Sequence, residues 1–154
     1  MHSDTATEAK RQESRARSAA QHDAGLEMTF ADEALEAARR LFSAVEEGRV
    51  EDLRTVFADD AVIWHNTDDS TITVEQSIKS IMRMLKASDE YRYTDIKREP
   101  TPSGFVQQHV LLIALKNGAR IVDRACCVCG VKDQRITYMN AYHDSAPLQA
   151  LWRH

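Results

Sequence analysis

Two long strand-like runs, Gly104 to Leu115 (GFVQQHVLLIAL) and Arg120 to Val131 (RIVDRACCVCGV), flank the tripeptide Lys116-Asn117-Gly118. Asn-Gly between such runs signals a tight hairpin. Around Leu111 and Val128 both faces of these strands carry apolar residues. One face has to bury against other elements of the chain. The other needs a cover, and a partner subunit is the simplest one. After a turn at Lys132-Asp133-Gln134, Arg135 to His143 reads as a last strand, and Tyr91 to Arg98 alternates weakly before the hairpin. The second half is therefore a curved antiparallel sheet of about four long strands.

The first half is helical. Thr29 caps a helix that runs to Gly48, with Asp32 or Glu33 in its first turn and Leu35, Ala38, Leu41, Phe42 and Val45 on one face. Val50 to Phe57 reads as a second, short helix. In FADDAVIWHN (57–66) the helix end is followed by a turn and a short strand. Thr73 opens a third helix with Gln76 completing a capping box, and its apolar face is Val74, Ile78, Ile81, Met82 and Leu85. Residues 1–27 hold almost no large apolar side chain and read as a flexible or loosely helical extension of a single domain over 28–154.

Composition sets limits. The chain has 154 residues, 43% hydrophobic and 29% charged, which suits one globular domain. A net charge of -4 argues against a nucleic-acid surface. No apolar run approaches the roughly 20 residues of a membrane span. The start MHSDTATEAKRQ lacks the apolar stretch of a secretory signal, so the expected address is the cytoplasm. Cys126, Cys127 and Cys129 sit in one strand-like run. Neighbouring strand positions face opposite ways, and no Cys/His cluster completes a zinc site, so they read as small core residues of a reduced protein.

Histidine carries the chemical question. His65 ends the short strand, either as a solvated side chain at a hairpin edge or as a group entering a pocket. By alternation it shares a face with Ile63 and Ala61. His109 shares one with Gln107 and Leu111, Asp123 with Ala125, Cys127 and Cys129, and His143 with Met139 and Ala141. Three His on one of two faces arises by chance about one time in four, and a one-residue register slip would turn any of them outward. A neutral imidazole is a good base near neutral pH, and an Asp on one ring nitrogen would orient it. Three His and an Asp also have the composition of a metal site, although no short ligand motif is present. Asn66 either donates to a substrate oxygen or caps the turn after the strand. Tyr142 alternates away from this face, toward the outer surface.

The phrases LFSAVEEGRVEDLRTVFADDAVIWHN, FVQQHVLLIALKNG and RITYMNAYHDSAPLQAL, in this order, resemble the SnoaL-like branch of the superfamily of nuclear transport factor two, over roughly residues 33 to 150. Ketosteroid isomerase and limonene epoxide hydrolase belong to the same superfamily. The resemblance implies an α+β fold, a cystatin-like cone in which a bent sheet wraps a long helix around a deep apolar pocket, often as a homodimer through the outer sheet face. It places His65 where steroid isomerases hold their general-base Asp and epoxide hydrolases their water-binding Asn. Cys127 falls near the isomerases' oxyanion-binding Asp, and His109 near the hydrolases' first catalytic Asp. Ala141 stands in place of their second Asp, and Leu41 in place of the isomerases' oxyanion Tyr. Neither standard mechanism is implied.

The expectation is therefore a homodimeric, cytoplasmic pocket protein for a small hydrophobic molecule, with no nucleic acid or membrane partner, no cofactor and no metal. Its leading activity is acid–base chemistry of the isomerase, cyclase, dehydratase or hydratase type on a steroid, terpenoid or polyketide-like substrate. His65 is the expected base, with His109 and Asp123 positioning or relaying. Ile63, Trp64, Asn66, Leu111, Cys127, Met139 and His143 are the expected substrate contacts. The alternative is a non-catalytic ligand-binding or accessory module of the same fold.

Overall fold

The structure is a computed structural model, and it describes residues 7–15, 28–144 and 146–147. A first helix, α1, covers 7–15 and is exposed along its length. The rest of the expected extension lies outside the described residues. Helix α2 spans Phe30–Glu46. Its start is a reciprocal box: Thr29 Oγ1 accepts from the Asp32 amide at 3.1 Å, and Asp32 Oδ2 accepts from the Thr29 amide at 3.2 Å. Small residues Ala34, Ala37, Ala38 and Ala44 share its buried stripe with Leu41, Phe42 and Val45, and they let the helix lie close to the sheet. Gly48, at φ 73, ends it in the left-handed region.

The short helix expected next is a 3₁₀ turn, Val50–Asp52, followed by a single α-turn, α3, Leu53–Val56. The chain is already extended at Phe57, so β1 runs Phe57–His65 and includes the segment expected to turn. A four-residue strand, β2 (Ser70–Thr73), folds back on β1. Helix α4, Val74–Ala87, then starts at the expected box of Thr73 and Gln76. The remaining strands are β3 (Ser88–Thr101), β4 (Gly104–Leu115), β5 (Arg120–Lys132) and β6 (Arg135–Tyr142).

One six-stranded sheet results, in the order β2-β1-β6-β5-β4-β3. All neighbours are antiparallel except β1 and β6, which are parallel. The sheet is curved and unclosed, and α2 and α4 pack into its concave side. The edge strand β3 is longer than its weak alternation suggested. It is rich in charge and carries Pro100, as an edge strand tolerates. A bulge at Asp95, φ 52, bends it.

Register places the chemistry. His65 pairs with Ala141, Ala141 with Cys127, Cys127 with Gln107, and Gln107 with Arg98. Paired residues share a face, so this rung crosses five strands on the concave side. Asp123 pairs with Leu111 and His109 with Ala125 on the same side. The convex side shows Val62, Val122 and Tyr142, each more than 40% exposed.

Two glycines test this geometry. A Cβ on Gly104 would overlap the backbone carbonyl of Cys129 on the paired strand. Gly104→Ala is expected to destabilise by about 1–3 kcal/mol, the range of overpacking. Gly48 has open space around it but a positive φ, so Gly48→Ala should cost about 1 kcal/mol. Thermal melts of both variants check the order. A Gly104→Ala loss well below about 1 kcal/mol would contradict the close approach of β4 to β5 at Cys129.

Candidate active site

The concave face gathers His65, His109, Asp123 and His143, as alternation demanded, and adds a pairing that alternation does not specify. Continuing the β5–β6 register past Tyr142 sets His143 level with Ala125, two residues from Asp123 along β5. From there His143 Nδ1 reaches Asp123 Oδ2 at 2.6 Å. Asp123 has no solvent exposure, and its other oxygen accepts from the Asp144 amide at 3.0 Å. The carboxylate thus holds Nδ1–H and leaves His143 Nε2 with a free lone pair.

Asn66 secures the same histidine from behind. Its Oδ1 accepts from the His143 amide at 2.7 Å and its Nδ2 donates to the His143 carbonyl at 3.1 Å. Both ends of the Asn66 amide are engaged, so its role is to fix the end of β6 against the end of β1. His65 stacks on His143, with ring centres 5.6 Å apart and planes 23° apart. Burial pushes the His65 imidazole below its ordinary pKa, and the neighbouring His143 pushes the same way.

His109 sits deeper, with its ring edge-on to Phe42 and Tyr93 at 5.3 and 4.8 Å. Burial lowers its pKa to about 4, against the opposing pull of Asp123. Tyr91 and Tyr93 were missed by sequence reasoning because β3 alternates weakly, but both belong here. Burial raises the Tyr91 phenol to about 12 and pushes the Tyr93 phenol well above its ordinary value, and both residues are half-buried. Both pack against the core cluster on the concave side, as does Met139, half-buried and paired with Ile63.

The other expected contacts divide. Ile63, Leu111 and Cys127 face inward but are packed in core clusters. Burial pushes the Cys127 thiol up to about 12, so it stays protonated. Trp64 is a correction: the alternation that turns His65 inward turns Trp64 outward. It lies edge-on to Tyr142 at 5.2 Å and donates from Nε1 to Asp69 at 2.8 Å. Among the described residues no three His, Cys, Asp or Glu side chains converge as a metal site would require.

Burial of His109 has a measurable consequence. Folded, it charges only near pH 4; unfolded, near 6.5. The unfolded chain binds the extra proton between these values, so stability is lost as pH falls through 6.5 toward 4. From pH 7 to pH 5 the loss is expected to be about 2 kcal/mol in urea unfolding. His109→Gln should flatten most of that slope. An unchanged slope would mean that His109 is not a buried neutral imidazole.

No protein-family model matches the chain, and no curated protein matches its sequence. Solved structures do match. An epoxide hydrolase of M. tuberculosis described as LEH-like is 20% identical with a TM-score of 0.65, covering 80% of this chain and 92% of its own. A candidate SnoaL-like polyketide cyclase from Shewanella denitrificans is 14% identical with a TM-score of 0.67, covering 78% of this chain and 96% of its own. A protein of ketosteroid isomerase-like fold from Catenulispora acidiphila, solved with trimethylamine, is 17% identical with a TM-score of 0.66, covering 75% and 90%. The chain therefore has the fold of the nuclear transport factor two-like superfamily, the α+β cone found in SnoaL-like, LEH-like and ketosteroid isomerase-like proteins.

Proposed function

We propose that the protein is a cofactor-free acid–base enzyme for a small, mainly apolar molecule of the polyketide, terpenoid or steroid class. The chemistry is an isomerisation, cyclisation, dehydration or hydration. The observation that carries this reading is the His143–Asp123 pair: an imidazole held at 2.6 Å by a carboxylate with no exposure, its Nε2 without a hydrogen-bond partner among the described residues. The base is thus His143 rather than His65. Asp123 orients it and offsets its charge when it takes a proton. His65, stacked beside it, disfavours a second charge and supplies a polar wall. Tyr91, Tyr93, Phe42 and Met139 give the apolar surface that such a substrate needs. The fold neighbours, an epoxide hydrolase and a candidate polyketide cyclase, support a substrate of this kind.

The protein is read as a homodimer through the convex sheet face, where Val62, Val122 and Tyr142 stand exposed. Its three free thiols fit a reducing compartment, and the cytoplasm is the proposed address. No described helix is long and apolar enough to cross a membrane.

Two experiments test these readings. In a substrate screen read by mass spectrometry, His143→Gln should cut turnover by about 10² to 10⁴, the usual share of general acid–base catalysis, and leave the fold intact. A fully active His143→Gln protein would sink the base assignment. A screen that yields bound but unchanged ligands would put the ligand-binding or accessory reading in its place. Sedimentation at micromolar concentration should show twice the 17.4 kDa chain, and Val122→Glu should shift it to monomer. A monomeric wild type would refute the dimer.

A further inference from the structure

Helix α4 carries a row of cations that the fold does not use. Lys79, Arg83 and Lys86 stand three or four residues apart, so they line one side of the helix. Like charges at this spacing repel and weaken the helix. Lys86 lies in the last turn, where the helix dipole favours a cation. Lys79 and Arg83 lie in earlier turns and gain little from it. The nearby carboxylates are already engaged. Glu75, one turn before Lys79, accepts from Arg54 Nε at 2.6 Å and from Arg54 Nη2 at 2.9 Å. Glu51 pairs with the same guanidinium. Lys79 keeps only the longer-range field of Glu75. Among the described residues, Lys79, Arg83 and Lys86 have no hydrogen-bonded or ion-paired partner. In a chain of net charge -4 they form a local excess of positive charge.

The same three cations rim a groove. Between the 3₁₀ turn Val50–Asp52 and α4 lies a hollow of about 790 Å³. Val50 and Leu85 give it a floor without polar side-chain atoms, and Met82 stands 49% exposed beside them. Gly48 leaves one end open, since nothing lies within 4 Å of the position its Cβ would take. The hollow shares no residue with the candidate active site.

An apolar floor under a cationic rim fits an amphiphile of negative charge, and shape narrows the kind. A bilayer is flat, so it would reach the rim and leave the floor unfilled. A helix is about 10–12 Å across, so a hollow of about 790 Å³ holds roughly one and a half turns of it, too few to dock. An extended peptide would bring amide groups onto a floor that has no hydrogen-bonding side chain for them. An alkyl chain makes no such demand. A carboxylate at its end suits the two-pronged donor of Arg83, with Lys79 and Lys86 adding positive field.

We propose that this groove binds a long-chain carboxylate, its alkyl chain along Val50, Met82 and Leu85 and its head group at Lys79, Arg83 and Lys86. The site is separate from the concave face, so it holds its ligand whether or not that face is catalytic.

The test is carbon NMR of the full chain labelled at the methionine methyl groups, titrated with dodecanoate below its micelle concentration. The five methionines include Met82 in the groove and Met139 on the concave face, so one spectrum separates the two sites. Met82→Gln assigns the groove signal. Dodecanoate should shift the Met82 methyl to saturation, and each CH₂ removed should weaken binding about twofold to fourfold. Dodecyltrimethylammonium, the same tail with the opposite charge, should bind about tenfold more weakly. Lys79→Glu combined with Arg83→Glu should weaken dodecanoate about tenfold, because two attractions become repulsions. Lys79, Met82 and Arg83 are exposed, so these variants are expected to fold, and the comparison of amphiphiles uses the wild-type chain. A Met82 methyl that dodecanoate does not move, a shift confined to Met139, or equal binding of the ammonium amphiphile would each overturn the proposal. A Met82 response to phosphatidylglycerol vesicles or to a glutamate-rich amphipathic helix, with none to dodecanoate, would overturn it too and give the groove to a membrane or a protein.

Discussion

A carboxylate with no solvent exposure sits in the first third of β5, and much of the architecture follows from keeping Asp123 there. Removing a charge from water costs several kcal/mol unless partners replace the lost hydration. Here the replacements come from one place, the end of β6: the His143 ring and the Asp144 amide. Those groups reach Asp123 only if the chain leaves the sheet just after Tyr142. The Asn66 amide holds it there by bonding both sides of the His143 backbone. Because β1 and β6 are parallel, their ends arrive together, and Asn66 and His143 lie side by side without a long connection. The interaction that positions the chemistry also ties three strands together, so losing Asp123 would damage fold and site at once.

How much of this the sequence announced depends on whether a signal is local. The β4–β5 hairpin was legible because Asn117-Gly118 sets its turn and the flanking runs are long. Helices α2 and α4 were legible because both carry capping boxes. The face shared by His65, His109, Asp123 and His143 was legible because side chains alternate with period two. The partner of Asp123 was not. Alternation gives the face but not the rung, and the rung depends on a β5–β6 offset that includes an irregularity between Gly130 and Val131. Strand β2 has four residues and no apolar run, so it gave no signal apart from its pairing with β1. Trp64 illustrates the opposite error. Its large apolar ring suggested a pocket wall, but its position beside an inward His65 required it to face outward.

Three imidazoles on one face end up with different properties because the sheet buries them unequally and gives them unlike neighbours. His109, pressed between Phe42 and Tyr93, is tied to a Gln side chain, a neutral partner that favours the neutral ring. His143, at the strand end, keeps 20% of its side-chain exposure and has a carboxylate for a partner. His65 has no hydrogen-bonded carboxylate or amide among the described residues; it faces the ring of His143, with the Asp68 charge nearby. The same residue type thus meets a neutral amide, a carboxylate and another imidazole ring.

The stacked pair sets how much charge the concave face can hold. Two like charges about 5.6 Å apart repel by roughly 3 kcal/mol at an effective dielectric constant near 20. Asp123 supplies one negative charge, enough to balance one imidazolium and no more. A proton taken up by His143 therefore makes the pair with Asp123 neutral overall, while a second proton on His65 would leave an uncompensated charge among Tyr91, Tyr93 and Met139. Apolar surroundings tolerate the first state and resist the second. On the proposed reading, a proton taken by His143 from a bound molecule creates one cation, and Asp123 beside it is the charge that offsets it.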